Sequence, residues 1–222
     1  MRSMRNFVLA VVTGLAVACT DGTLPSDPSE GASSFDVQGT TQQSQHQLLK
    51  AQLAAEKARM KREREDRKGE FELARAEWKI YRRDLKRAKK LNSQTFDLLR
   101  CEPREYEGDA AIIGPQGGSL HIGEHELVIP RGALSEEQLI TAEARTSSLV
   151  NVEFEPEGLT FQQPAKLTLS YKHCDVPANL DLLVAYLGVG NKILEFPTSK
   201  DYREYDEVTG EINHFSRYAV AY

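Results

Sequence analysis

Long hydrophobic runs are missing from these 222 residues. The most apolar stretch, Phe7 to Val17, covers about eleven residues, far below the ~20 that carry a helix across a bilayer, so a permanent transmembrane helix is not expected. The signatures of common catalytic machinery are missing too: there is no Gly-rich phosphate loop, no nucleophile elbow and no pair of catalytic carboxylates. Histidine numbers five, and only His121 and His125 stand close together, in His121-Ile-Gly-Glu-His125. With Glu124 or Glu126 they could hold zinc, but exposed histidines are the commoner reading, and neither a metal nor a cofactor is expected. The acidic turns from Asp201 to Glu211 lack the one-three-five oxygen spacing of a calcium loop and read as a solvated acidic surface.

Cysteine occurs three times, at 19, 101 and 174. Around the first of them, Arg2 and Arg5 precede the apolar run and small residues follow it, the layout of a signal peptide over residues 1–18. Leu15-Ala16-Val17-Ala18-Cys19 resembles the lipobox of bacterial lipoproteins, which implies a diacylglycerol on Cys19 and removal of everything before it. Ala16 departs from the usual Leu, Val or Ile, and Ala16-Val17-Ala18 also fits ordinary secretory cleavage, so a secreted protein with a free Cys19 thiol is the alternative. Parity favours lipidation: with Cys19 acylated, Cys101 and Cys174 remain as an even set able to form one disulfide in an oxidising compartment. Two separate thiols are the other possibility. Thr20 after the lipidated residue, rather than Asp, implies the outer membrane.

Residues 19–44 carry only Leu24, Phe35 and Val37 as bulky apolar side chains. They cannot bury enough surface to offset the entropy of ordering, and read as a disordered tether with a reach of roughly 25 to 30 Å. Residues 45–100 contain no proline and one glycine, Gly69, among many strong helix formers, and read as an α-helical or coiled-coil segment of roughly 80 Å if continuous. Phe71, Ala74, Trp78, Tyr81, Leu85 and Ala88 step by three and four, the spacing of a coiled-coil seam. Extended backwards, the register meets Leu53 and Met60 at one position but Lys50, Lys57 and Arg64 at the other, a poor seam. Either the helix is single, self-associating or packing on the domain that follows, or it breaks at Gly69 and folds back.

Charge divides the chain in the same place. Residues 45–100 hold 17 Lys and Arg against 9 Asp and Glu, whereas 101–222 hold 9 against 20. A basic rod beside an acidic domain has three natural partners: anionic lipid headgroups, lipopolysaccharide phosphates, or the acidic domain itself. Nucleic acid is not expected, since no recognition motif accompanies the charges.

Past Pro103 the pattern changes to short runs of Val, Ile, Leu, Thr, Tyr and Phe between turn residues. Strands are expected near 110–113, 119–122, 125–129, 139–145, 150–154, 165–171, 181–187, 192–196 and 211–221, which together indicate an all-β sandwich over 101–222. Within it, Gly114-Pro-Gln-Gly-Gly-Ser-Leu120, Leu127-Val-Ile-Pro-Arg-Gly-Ala-Leu134, Pro156-Glu-Gly-Leu-Thr-Phe161-Gln-Gln-Pro164-Ala-Lys-Leu-Thr-Leu169 and His214-Phe-Ser216 resemble, in order and spacing, the ZU-five domain of zona-occludens proteins, netrin receptors and ankyrins. Bacterial lipoproteins with such a domain are the closer likeness. The resemblance implies a module for protein-protein contact.

It also raises a catalytic alternative. In self-cleaving relatives of the domain, the serine of His-Phe-Ser attacks the preceding carbonyl, shifting the backbone from amide to ester before hydrolysis. Here Ser216 would attack Phe215 with His214 assisting. Opposite parity of Phe215 and Tyr218 signals an irregularity near Ser216 or Arg217. Only Ser216 to Tyr222 would be released, and those residues read as the closing strand, so a structural His214-Phe215-Ser216 is expected. The sequence therefore points to a non-catalytic envelope lipoprotein whose sandwich binds or assembles with an envelope protein. The alternatives are self-processing at Phe215-Ser216 and a structural spacer that oligomerises through its helix.

Overall fold

From Glu107 onward, side chains alternate between interior and exterior with the period of two that a pleated strand imposes. A computed structural model describes residues 37–88 and 96–222, with side chains from 42–82 and 96–222. It contains eleven strands: β1 Glu107–Ile113, β2 Gly118–Ile122, β3 His125–Ile129, β4 Gln138–Ala144, β5 Asn151–Glu155, β6 Thr160–Ser170, β7 Leu183–Leu187, β8 Ile193–Glu195, β9 Ser199–Tyr202, β10 Glu207–His214 and β11 Arg217–Ala221. They form two antiparallel sheets, one of six strands in the order β1-β4-β5-β11-β7-β8 and one of five in the order β2-β3-β6-β10-β9. Leu120, Leu127, Leu167 and Ile212 from the smaller sheet meet Ile140, Val152, Phe154 and Val220 from the larger in one buried core, a sandwich-like arrangement.

Most of the expected strands are present, with two differences. The run expected at 211–221 is two strands, β10 and β11, that belong to different sheets. Strand β9 was not foreseen, because Ser-Lys-Asp-Tyr carries no alternation of large apolar residues and lies at a sheet edge.

The helical segment also departs from its expected bounds. Helix α1, Val37–Asp66, begins eight residues before the expected Gln45, so residues 37–44 are not part of the tether. Helix α2, Lys68–Ala88, follows after a single turn residue, Arg67, not after a break at Gly69. The Arg67 N–H still donates to the Glu63 carbonyl at 3.0 Å and Phe71 N–H to that of Arg67 at 3.4 Å, so the chain does not fold back there. Residues 96–100, expected to be helical, are extended: Leu98 bridges Ala221 and Arg100 bridges Leu149. Leu99 points into the main core while Leu98 packs on Ala185, Ala219 and Ala221 of the opposite sheet face. Their helix-forming letters yield to burial on both sides of a strand, a tertiary override of local propensity.

What looked like a poor seam in α1 is a good intramolecular one. Leu53 and Met60 pack with Tyr106, Ala110 and Leu139 on the outer face of β1 and β4. The basic positions at the same seam meet acids on that edge: Lys57 faces Asp109 at 3.5 Å, Arg64 pairs with Glu107, and His46 lies 2.7 Å from Glu137. Arg59, one turn away, holds Glu143 at 2.7 Å. Glu143 is the most sheltered of these acids, with 12% of its side chain exposed. The remaining pairs are exposed enough that each contributes little alone. Gly108 leaves room on this edge, since a Cβ there would come within 2.8 Å of the Tyr106 hydroxyl and 3.2 Å of Met60 Sδ.

Cys101 and Cys174 are bonded, joining the residue before Glu102 to the turn after β6 across 73 positions. Constraint of so long a loop in the unfolded chain contributes about 4 kcal/mol in the chain-entropy account. The Cys101→Ser/Cys174→Ser protein is expected to be less stable by about that amount in urea unfolding; an unchanged midpoint would show that the clasp does not stabilise the fold.

Candidate functional site

His214-Phe215-Ser216 lies where the chain passes from one sheet to the other. β10 pairs with β6 and β9, and β11 with β5 and β7. The β10–β6 register slips between Ile212 and His214, after which the backbone crosses the core and re-emerges as β11 at Arg217. This crossing is the physical origin of the parity conflict between Phe215 and Tyr218: each faces the core, but from a different sheet.

Phe215 is fully buried at 0% exposure, stacked on Phe154 at 5.1 Å and edge-on to Phe161 at 5.0 Å. Aromatic pairs of this geometry add about 0.5–1.5 kcal/mol each beyond the area they bury. Its N–H donates to the Leu159 carbonyl at 2.7 Å, and its own carbonyl accepts from Gly158 N–H at 3.0 Å. Gly158 sits at φ 79°, in the left-handed region open chiefly to glycine. The turn that supplies it runs from Pro156 to Leu159, closed by Leu159 N–H on the Pro156 carbonyl, so Pro156 opens the turn and Gly158 takes its third place. On the far side, the Ser216 carbonyl accepts from Phe154 N–H at 3.0 Å. The peptide that self-cleavage would open is thus held by ladder-like bonds on both flanks.

Ser216 is 6% exposed, and the histidine beside it turns elsewhere. His214 Nδ1 lies 3.3 Å from the Tyr218 hydroxyl, which donates to the His214 carbonyl at 2.7 Å, and the ring sits edge-on to Tyr186 at 4.9 Å. None of residues 214–216 has a positive φ. A single donor, Gly158 N–H, reaches the Phe215 carbonyl, and among the described residues no base is hydrogen-bonded to the Ser216 hydroxyl. A groove of about 530 Å³ runs beside the crossover, walled by Phe154, Tyr186, Val189, Leu194 and Arg217.

The other candidates fall as follows. His121 stands opposite Glu126 and His125 opposite Ile122, so the two imidazoles occupy opposite faces of the β2–β3 hairpin and do not converge. His121 is exposed, 3.7 Å from Glu126. His125 Nδ1 accepts the Ser170 N–H at 3.1 Å, and burial, with His173 nearby, lowers its pKa to about 4. Asp201, in the acidic turn region, accepts the Tyr171 hydroxyl at 2.6 Å and pairs with Arg203 at 3.3 Å. Cys19 lies outside the described residues, as do the side chains of Leu85 and Ala88. Among the described residues, one group of ligand-type atoms converges, those of Cys101, His173 and Cys174. Sequence reasoning missed His173, which has no partner at ligand spacing along the chain except Cys174 itself. It also missed Tyr218 as the partner of His214, although their four-residue separation across an expected bulge was a usable signal.

Burial lifts the Tyr218 phenol well above its ordinary range, and Tyr186 adds to the shift. In the folded state the proton therefore stays on at pH values where an unfolded tyrosine loses it, so this stabilisation is complete below about pH 10 and is lost as pH rises beyond that. Tyr218→Phe is expected to cost about 1–3 kcal/mol near neutral pH, by leaving the His214 carbonyl without its donor, and to flatten the alkaline loss of stability. Chemical denaturation at a series of pH values reads both; an unaltered alkaline limb would refute the assignment.

No protein-family model matches the chain, and no curated protein matches it.

Proposed function

We propose that this is a bacterial cell-envelope lipoprotein, anchored in the outer membrane through lipid on Cys19, whose ZU-five-like sandwich serves as a non-catalytic protein-binding or assembly module. The lipobox-like Leu15-Ala16-Val17-Ala18-Cys19 and the even pairing of the two remaining cysteines support the anchor. Support for a passive head comes chiefly from the Phe215-Ser216 peptide: its flanking carbonyls are bonded to Gly158 and Phe154 and its histidine is committed to Tyr218. Such a peptide fixes two sheets together, and cutting it would detach the strand at the centre of the larger one. Among the described residues no helix is long and apolar enough to cross a membrane, so attachment through Cys19 carries the membrane link in this reading. Growth of an expressing bacterium on labelled fatty acid is expected to label the purified protein, and its intact mass is expected to include Ser216 to Tyr222. An unlabelled protein removes the anchor; a mass lacking those seven residues makes the head self-processing.

One observation favours a second reading, a spacer that oligomerises through its helix. Of the expected seam, Phe71, Ala74 and Trp78 are half-buried or buried within the chain while Tyr81 is exposed, and Leu73 and Ile80, seven residues apart on another face of α2, are 70% and 54% exposed. A pair at that spacing suits a neighbouring helix. Sedimentation of the protein from Gln45 onward distinguishes the readings. A monomer at tens of micromolar supports the first, whereas a dimer dissociated by Leu73→Glu/Ile80→Glu supports the second.

A further inference from the structure

We propose that Cys101, Cys174 and His173 form, when the bond between the cysteines is reduced, a site for a thiophilic d10 metal ion of the zinc class. Both Sγ atoms and a ring nitrogen of His173 already lie within 4.8 Å of one another. Tetrahedral zinc, with sulfur at about 2.3 Å and nitrogen at about 2.0–2.1 Å, needs its ligand atoms roughly 3.4–3.8 Å apart, so the cysteines have only to relax from bonded to non-bonded contact. Each is positioned by something other than the disulfide. Cys101 N–H donates to the Ser148 carbonyl at 2.8 Å, and Cys174 N–H donates to that of Tyr171 at 2.8 Å. The second bond closes the turn Tyr171-Lys172-His173-Cys174, which presents histidine and cysteine side by side.

A separate observation points at the same place. His173 Nδ1 is buried and has no hydrogen-bond partner, a cost that coordination through that nitrogen would remove. On its other side His173 borders a small cavity of about 40 Å³, walled also by His125, Arg104 and Glu124, that neither cysteine lines. Two thiolates and an imidazole select soft or borderline cations over calcium and magnesium.

Reduction balances with a dithiol as the electron donor. Its thiolate attacks Sγ of Cys174, the less buried of the two cysteines, forming a mixed disulfide and releasing Cys101 as thiolate. The donor's second thiol then displaces Cys174, and the donor departs as its own disulfide, having supplied two electrons. Metal binding expels the two thiol protons. The site is thus available only under reducing conditions, and the same pair of sulfurs serves as clasp or as ligand.

The test uses the full chain, reduced and freed of reductant without air, then titrated with Cd²⁺ as a spectroscopic stand-in and with Zn²⁺. Expected are an ultraviolet sulfur-to-metal band saturating at one equivalent, a metal-dependent rise in melting temperature, and neither effect in the oxidised chain. His173→Asn is expected to weaken binding about tenfold or more. Cys101→Ser/Cys174→Ser should abolish the band. If reduction loosens the fold, added Zn²⁺ is expected to restore it. Absence of the band in the reduced chain, failure to restore a loosened fold, or unchanged affinity in His173→Asn would each overturn the proposal.

Discussion

The fold depends on one passage of chain, the two residues that carry the backbone from β10 to β11. β11 lies in the larger sheet and β10 in the smaller, so the crossing ties the layers covalently. Phe215 fills the space between them, flat on Phe154 and edge-on to Phe161, while its amide groups bond to Leu159 and Gly158. The Pro156–Leu159 turn exists to meet it: only with Gly158 in the left-handed region does that N–H reach the Phe215 carbonyl. Tyr218 then closes back on His214, pinning the first turn of the new strand to the last residue of the old. A tripeptide that could support acyl transfer is here engaged by packing and by hydrogen bonds on both flanks.

A second constraint is charge of opposite sign on neighbouring layers. The basic helical segment and the acidic sandwich were legible as such from composition, and the structure brings His46, Lys57, Arg59 and Arg64 onto Glu137, Asp109, Glu143 and Glu107. Apart from Arg59 with the sheltered Glu143, these are exposed pairs that contribute at most ~1 kcal/mol each, so they orient the helix more than they hold it. The hold comes from Met60, buried against Tyr106 and Ala110. Gly108 eases that approach, because a Cβ there would crowd the Tyr106 hydroxyl at 2.8 Å and press on Met60 Sδ at 3.2 Å.

Strand periodicity and turn residues made most of the sandwich readable, since each apolar alternation from Ala110 to Leu187 has one buried face. Three things were not readable. Residues 96–100 have helical letters, and only the alanines of β7 and β11, which let Leu98 lie against an otherwise finished sheet, make them extended. Strand β9 is polar and edge-bound, and is defined by pairing with β10 instead of by its own pattern. The helix seam was legible as spacing but not as to partner: Leu53 and Met60 with interleaved cations look defective for a like helix and are well matched to an acidic sheet edge. At the candidate site, parity announced an irregularity, but a bulge within one strand and a change of sheet produce the same letters.

The two outer faces of the sandwich are therefore not equivalent. The six-stranded sheet carries α1 on β1 and β4 and the segment 96–100 on β7 and β11, which is why Tyr218 to Ala221 are buried on both sides. The outer face of the five-stranded sheet instead presents cross-strand rows of small and polar residues, Thr168 beside Thr209 with their hydroxyls 3.0 Å apart, and an open groove of about 530 Å³ bounded by Val128, Lys166, Tyr202 and Tyr205. The N-terminal layer thus covers part of the outer face of the six-stranded sheet, leaving open the groove beside β5, β7 and β8 and the groove on the five-stranded sheet.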